Sequence, residues 1–231
     1  SATGLTGGLA GDNWRRGQTW VLDKDRHPNP KLASVVGFYG DHLRIGHGCM
    51  AGWDKYGVER RVTRSSGNVL YELDGVPALQ LYKEYLGEKA AGLPVSGLLY
   101  PVSIRFDTAS EKRLLRTVLG VDETAQAISF YGDIPQGWLA HLMRPNFDRV
   151  INSVGEAAEA CLAPGAPGSP SLAVAVTCAA RRRSLGERIQ EELETTLDVL
   201  PKDVHQVGFY SYGEFAPYLT KLCDLHNQTL T

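Results

Sequence analysis

The chain has 231 residues and a mass of 25.2 kDa, with 43% hydrophobic and 22% charged residues. That is an ordinary globular balance, able to bury a sizeable core in one or two domains. A formal net charge of -2 and a pI near 6.3 exclude bulk attraction to nucleic acid or anionic lipid, and no apolar run approaches the roughly 20 residues of a membrane span.

In chain order, Ser1-Ala2-Thr3-Gly4-Leu5 carries neither Met nor a charged-then-apolar signal and reads as the interior of a longer chain. Gly4 to Asp12 then places four glycines within eight residues. Such a loop turns tightly and presents N–H groups to an anion or ligand, so Gly8 and Asp12 are candidate ligand contacts. The spacing fits neither G-x-G-x-x-G nor a P-loop; close packing between strands is the structural alternative.

From Thr19 to Ser65, short β-rich runs alternate with turn signals. Thr19–Leu22, Leu32–Tyr39, Leu43–Gly48 and Val58–Ser65 are expected strands, with a hairpin turn at Gly40-Asp41. Trp53 and Tyr56 lie in the glycine-framed loop between the third and fourth, where a Trp commonly plugs the end of a sheet. Val69–Leu73 is a further strand. Pro77 then opens a helix to Leu86 with Ala78, Leu81, Tyr82 and Tyr85 at helical spacing, stopped by Gly87.

Leu98–Phe106, broken at Pro101, is followed by strand candidates Leu114–Leu119, Ala127–Phe130 and Trp138–Met143. Asn146 caps a helix whose apolar side carries Val150, Ile151, Val154, Ala157, Ala158 and Cys161. Residues 164–170, rich in Pro and Gly, end it as a mobile loop. Leu172–Val176 is too continuously apolar for a half-exposed strand and is expected to be central and covered on both faces. It delivers Cys178 and three arginines, Arg181 to Arg183, to its carboxyl end. Ser184 and Glu187 form a capping-box pattern for a helix with Leu185, Ile189, Leu193 and Leu197 inward.

The closing stretch, QVGFYSYGEFAPYLTKLCDLHNQTLT, is chemically dense where chain ends are usually bland. GFYSYGEFAP followed by a cysteine and LHNQTLT resembles the close of the FIST C-terminal domain, named for F-box and intracellular signal transduction proteins. NVLYELDGVPALQLYKEYLG resembles the junction between the two FIST domains, and GGLAGDN with GQTWVL resembles part of the N-terminal one. The resemblance covers essentially the whole chain. It implies an α+β protein of two linked domains dominated by antiparallel sheet with a few packing helices, residues 1–76 completing the N-terminal domain and 77–231 forming the C-terminal one. It also implies about a hundred further residues upstream, a usual domain's worth.

The same resemblance implies a non-catalytic input module of bacterial signalling, occurring with histidine kinases, chemotaxis receptors or cyclic-dinucleotide enzymes and proposed to bind small ligands such as amino acids. Some members are linked to haem-dependent nitric oxide sensing, which makes haem the alternative ligand, with His47, His141, His205 and His226 as candidate axial residues. There is no CxxCH attachment motif. The four cysteines, Cys49, Cys161, Cys178 and Cys223, form no CxxC pair and read as reduced thiols of a cytoplasmic protein, not as a disulfide frame or zinc site.

Three constellations carry candidate chemistry. Cys178 sits where a strand meets a helix beside cations, a setting that can activate a thiol, with His226 as a conceivable base; a structural thiol is the preferred reading. Among the arginines, Arg181 is the one expected to turn inward toward a carboxylate or phosphate, against a solvated helix start paired with Glu187, Glu191 and Glu192. In the terminal cluster, Glu214 could hold an ammonium while Tyr210, Tyr212, Asn227 and His226 supply oriented hydrogen bonds, complements that suit a small zwitterion. The structural alternative has Glu214 and His226 pairing with each other.

Overall fold

The computed structural model describes residues 4–13, 15, 17–162, 172–217, 223–229 and 231. Short pairings open the chain: β1 (Gly7–Gly8), then β2 (Val21–Leu22) antiparallel to β3 (Pro28–Asn29). β4 (Asp54–Lys55), β5 (Arg60–Ser66), β6 (Val69–Leu73) and β7 (Val76–Pro77) lead into helix α1 (Ala78–Leu86). Next come β8 (Val102–Arg105), β9 (Leu114–Arg116), β10 (Val118–Asp122), β11 (Ala127–Phe130), β12 (Leu139–Arg144) and helix α2 (Phe147–Cys161). The chain closes with β13 (Leu172–Cys178), α3 (Ala179–Leu185), α4 (Ile189–Val199), β14 (His205–Ser211), β15 (Glu214–Pro217) and β16 (Cys223–His226).

Nine of the described strands form one antiparallel sheet in the order β10-β11-β6-β5-β12-β8-β9, with β4 on β12 and β7 on β6. Its two end strands, β9 and β10, are separated in sequence by Thr117 alone. A path whose ends are one residue apart must curl on itself, and the rolled sheet encloses Val62, Leu70, Val102, Ile104, Val118, Ile128 and Phe130, with Leu79 and Tyr82 of α1 closing the core. Strands from both sides of residue 76 share this sheet, so the backbone hydrogen bonding runs unbroken across the boundary expected between the two domains.

The helices start and stop for the reasons their sequences supply. α1 follows Pro77, which has no N–H to lose, and ends at Gly87, whose φ of 58° favours glycine. The Asn146 side chain accepts a hydrogen bond from Arg149 N at 3.2 Å and caps α2. Val150, Ile151, Val154, Ala157 and Ala158 are buried on its inner face. Trp53 fills a second core with Leu115, Met143, Val150, Ile151 and Leu185, the plugging role its loop suggests.

Four expectations are corrected. Residues 32–39 and 43–48 are not strands and Gly40-Asp41 is no hairpin. Val35, Val36, Phe38 and Ile45 are exposed there, and Tyr39 is 93% accessible, because β propensity acts only where a partner strand and a covered face exist. Leu172–Val176 is not covered on both faces: Leu172 and Val174 are exposed. β13 pairs in parallel with β14 along its length, but among the described residues its other edge is covered only near its end, by Thr231 on Val176 and Thr229 on Cys178.

Ser184 caps nothing, since α3 starts directly after Cys178 and runs through it. The chain then turns at Gly186 into α4, on which Glu192 and Thr196 are buried while Leu193 and Leu197 are exposed. A buried ion pair sets that rotation, as described below. The mobile loop expected at residues 164–170 lies outside the described residues.

Candidate functional site

The terminal stretch is drawn into the middle of the molecule. His226, Asn227, Gln228 and Thr229 are all at most 4% accessible, and each is bonded to a distant element. Asn227 Oδ1 accepts from Thr117 N at 3.3 Å, and Gln228 Nε2 donates to Leu98 O at 2.7 Å. The Gln228 carbonyl accepts from Trp53 Nε1 at 3.3 Å, and the Thr229 carbonyl accepts from Cys178 N at 3.1 Å. The segment therefore clasps the rolled sheet to β13 at the point where the sheet closes.

Beside this clasp lies a small cleft lined by Thr117, Tyr131, Cys178, Ala179, Ala180, Ser211, Tyr212 and Asn227. Three expected residues, Cys178, Tyr212 and Asn227, meet here. Thr117 sits on its floor, held by Asn227 on one side and by Tyr131 N, which donates to the Thr117 carbonyl at 3.0 Å. Its hydroxyl is buried without a partner among the described residues. Tyr131 and Tyr212 flank the cleft as an edge-to-face pair with ring centroids 6.3 Å apart.

Asp12 joins the site through Tyr212, whose hydroxyl donates to Asp12 Oδ1 at 3.1 Å, while Asp12 Oδ2 accepts from Gly17 N at 2.6 Å. Gly8 does not reach the cleft. It belongs to β1, paired with β15, and packs against Ser211 so closely that an added Cβ would sit 2.5 Å from the Ser211 Cβ. Gly11 meets the Tyr212 ring in the same way, at 2.4 Å. The glycine loop thus serves close packing against the cleft wall, the structural alternative for that motif.

The charged candidates turn inward and engage the protein itself. Arg181 is fully buried. Its Nε donates to Glu192 Oε1 at 2.8 Å, Nη1 to Ala51 O at 2.8 Å and Nη2 to Val150 O at 2.8 Å. The carboxylate it was expected to face is therefore Glu192, and this pair rotates α4 so that Glu192 lies inside and Leu193 outside. Glu214 is also fully buried, taking hydrogen bonds from Ser211 Oγ at 2.5 Å and Thr229 Oγ1 at 3.1 Å. Burial raises its pKa to about 7 against the opposing hydrogen bonds of Ser211 and Thr229 and the charge of Arg181.

His226 stands opposite Glu214 in the β15–β16 register, with Nε2 3.3 Å from Ala216 O, and burial lowers its pKa. Tyr210 lies outside the cleft lining, with the Arg182 guanidinium 4.9 Å from its ring centroid. Cys178 is held as a neutral thiol: burial, aided by the negative charge of Glu214, pushes its pKa up to about 12. This is the reverse of the activation that a helix start and nearby arginines can bring, and such a thiol is a poor nucleophile.

The four histidines named as axial candidates lie apart from the cleft lining. His141 Nε2 is 3.1 Å from Gly57 O and His226 is sealed in the clasp, while His47 and His205 are exposed. The cleft described here carries no histidine. Among the described residues no group of three or more His, Cys, Asp or Glu side chains could hold a metal ion, and no helix is long and apolar enough to cross a membrane.

Sequence reasoning missed Thr117, Tyr131 and Ser211. Thr117 falls inside a single predicted strand, and only the sheet closure reveals it as a corner. The architecture is a mixed α+β fold in which a rolled antiparallel sheet and a smaller β-layer meet at the cleft. Residues 78–217 match the family described as the FIST C domain and residues 2–76 the one described as the FIST N domain; the chain belongs to the FIST family. FIST domains are a sensory domain type found in signal transduction proteins. No curated protein and no solved structure matches the chain.

Proposed function

We propose that this protein is a cytoplasmic ligand-sensing input module, that the cleft at Thr117 receives a small polar molecule such as an amino acid, and that occupancy is passed to a signalling partner such as a histidine kinase, chemotaxis receptor or cyclic-dinucleotide enzyme. The observation that carries the reading is the unpartnered Thr117 hydroxyl at the floor of the cleft, because buried polar groups are nearly always satisfied. Asn227, Ser211 and the two tyrosines add further polar groups around it.

The cleft has a free volume of only about 10 Å³, room for a single water-sized group. Anything larger must part Tyr131 and Tyr212. Tyr212 is tied to Asp12, so opening the mouth pulls on the glycine loop, and the ligand's differential affinity for open and closed forms sets the size of the signal. Titration calorimetry with the twenty amino acids tests this. At least one is expected to release or absorb heat, with affinity about tenfold weaker in Thr117→Val, the worth of one hydrogen bond. No heat with any of them, or equal affinity in the variant, refutes the assignment.

A further inference from the structure

A second concavity shares no residue with the first. It is a groove of about 400 Å³ lined by Asp54, Tyr56, Tyr85, Leu86, Lys89, Tyr100, Arg144, Pro145 and Asn146. Its walls are aromatic: Tyr56 and Tyr85 meet edge to face with centroids 6.0 Å apart. Its charge is lopsided. Asp54 is already neutralised by Arg149 Nη1 at 2.5 Å and by Asn146 Nδ2 at 3.1 Å, and these contacts hold its carboxyl below the usual range.

Among the described residues the two cations form no ion pair of their own, although the charge of Arg144 also helps hold the Asp54 carboxyl ionised. The Arg144 guanidinium lies 5.7 Å from the Tyr56 ring centroid, and among the described residues it donates no hydrogen bond and meets no carboxylate within ion-pair distance. The Lys89 ammonium lies 5.1 Å from the Tyr100 ring centroid and donates to the Tyr100 hydroxyl, again without a carboxylate partner. Arg144 is held beside the Tyr56 ring and Lys89 by the Tyr100 hydroxyl, while their outward N–H groups stay available. The groove therefore sets the Tyr56 and Tyr85 rings beside two donors of positive charge within a mostly polar lining.

We propose that this groove is a binding site for a small planar anion, a flat aromatic ring bearing a carboxylate or phosphate group. The ring lies against Tyr56 and Tyr85, and the anionic group is taken by the forked guanidinium of Arg144 and by Lys89, a division of labour usual in pockets of this size. Lys89 and Arg144 are exposed, so replacing them leaves the core untouched.

The test uses the full chain and titration calorimetry with four probes: AMP and 2-naphthoate as ring-bearing anions, adenosine as ring alone and inorganic phosphate as anion alone. The expected result is saturable binding of AMP or 2-naphthoate, at least tenfold weaker binding of adenosine and phosphate, and a loss of at least tenfold in both Arg144→Met and Lys89→Gln. AMP binding without naphthoate binding assigns the phosphate form of the ligand, and the converse assigns the carboxylate form. The proposal is overturned if neither ring-bearing anion binds, if phosphate alone binds as well as AMP, or if both variants bind like the parent. It is likewise overturned if a single-stranded oligonucleotide binds far more tightly than AMP. Because the Thr117 cleft is unaltered in these variants, any amino-acid binding there stays unchanged whichever way the groove behaves.

Discussion

Replacing Arg181 by Met isolates the element that sets α4. The guanidinium is completely buried and answers the Glu192 carboxylate together with the carbonyls of Ala51 and Val150. Met keeps much of the volume and removes all of those donors. Glu192, 1% accessible, is then left as a buried acid without its cation, a loss that costs about 3–5 kcal/mol. The two carbonyls add up to about 1–3 kcal/mol each where water cannot reach them. Against a usual total stability of about 5–15 kcal/mol, the single variant is expected to lose at least ~4 kcal/mol and to be folded marginally or not at all. Urea unfolding followed by circular dichroism reads this directly, with a midpoint lowered by about 2 M for a typical slope. The double variant Arg181→Met with Glu192→Met is expected to recover at least ~2 kcal/mol, since an apolar replacement of both partners restores a neutral interior. A single variant within ~1 kcal/mol of the parent, or a double variant no better than the single, would falsify the claim that this pair organises the C-terminal helices.

Glu214 brings a pH dependence of opposite sign to the usual acid effect. Its pKa is raised to about 7 from an ordinary 4.5, so the folded state holds the proton more tightly than the unfolded one. Its contribution is complete below the ordinary value and is lost as pH rises through about 7, a decline of about 3 kcal/mol at most; Glu214→Gln should flatten that slope in urea titrations from pH 5 to 8. Cys49 and Cys178 are buried with raised pKa values, so Ellman's reagent at pH 8 should leave both unmodified in the folded protein and reach them only in denaturant; fast labelling of Cys178 would restore the nucleophile reading. Gly8→Ala places a Cβ 2.5 Å from the Ser211 Cβ and should destabilise by about 1–3 kcal/mol in urea unfolding, whereas Gly4→Ala, with open space around it, should be nearly neutral in the same measurement.

Local chemistry alone placed α1, from Pro77 to Gly87, and α2, from its Asn146 cap, because capping and turn geometry are satisfied within a few residues. The β5–β6 hairpin and the inward turn of Arg181 were legible for the same reason: strand alternation and the cost of burying a charge are properties of short segments. Periodicity misled wherever burial depends on a partner distant in sequence. Val35 and Val36 have strand propensity but no strand beside them, and Leu193 and Leu197 make a helical stripe that the Arg181–Glu192 pair turns toward solvent.

The cleft shows the same division. Cys178, Tyr212 and Asn227 could be named as polar residues in a dense terminal stretch, but that stretch by itself does not separate residues that face a ligand from those that hold the protein together. Tertiary structure separates them: Glu214, His226 and Gln228 are consumed by the clasp, whereas Thr117, unremarkable within an apolar run, becomes the floor of the cleft. It does so because β9 and β10 are the two ends of one rolled sheet, a closure defined by hydrogen bonds among strands spread over residues 60–144. Amino-acid sequence determined what each segment could form and which side chains could not be left bare in the interior. Only the closure of the sheet and the return of the C-terminal segment decided which of these side chains came to line the cleft.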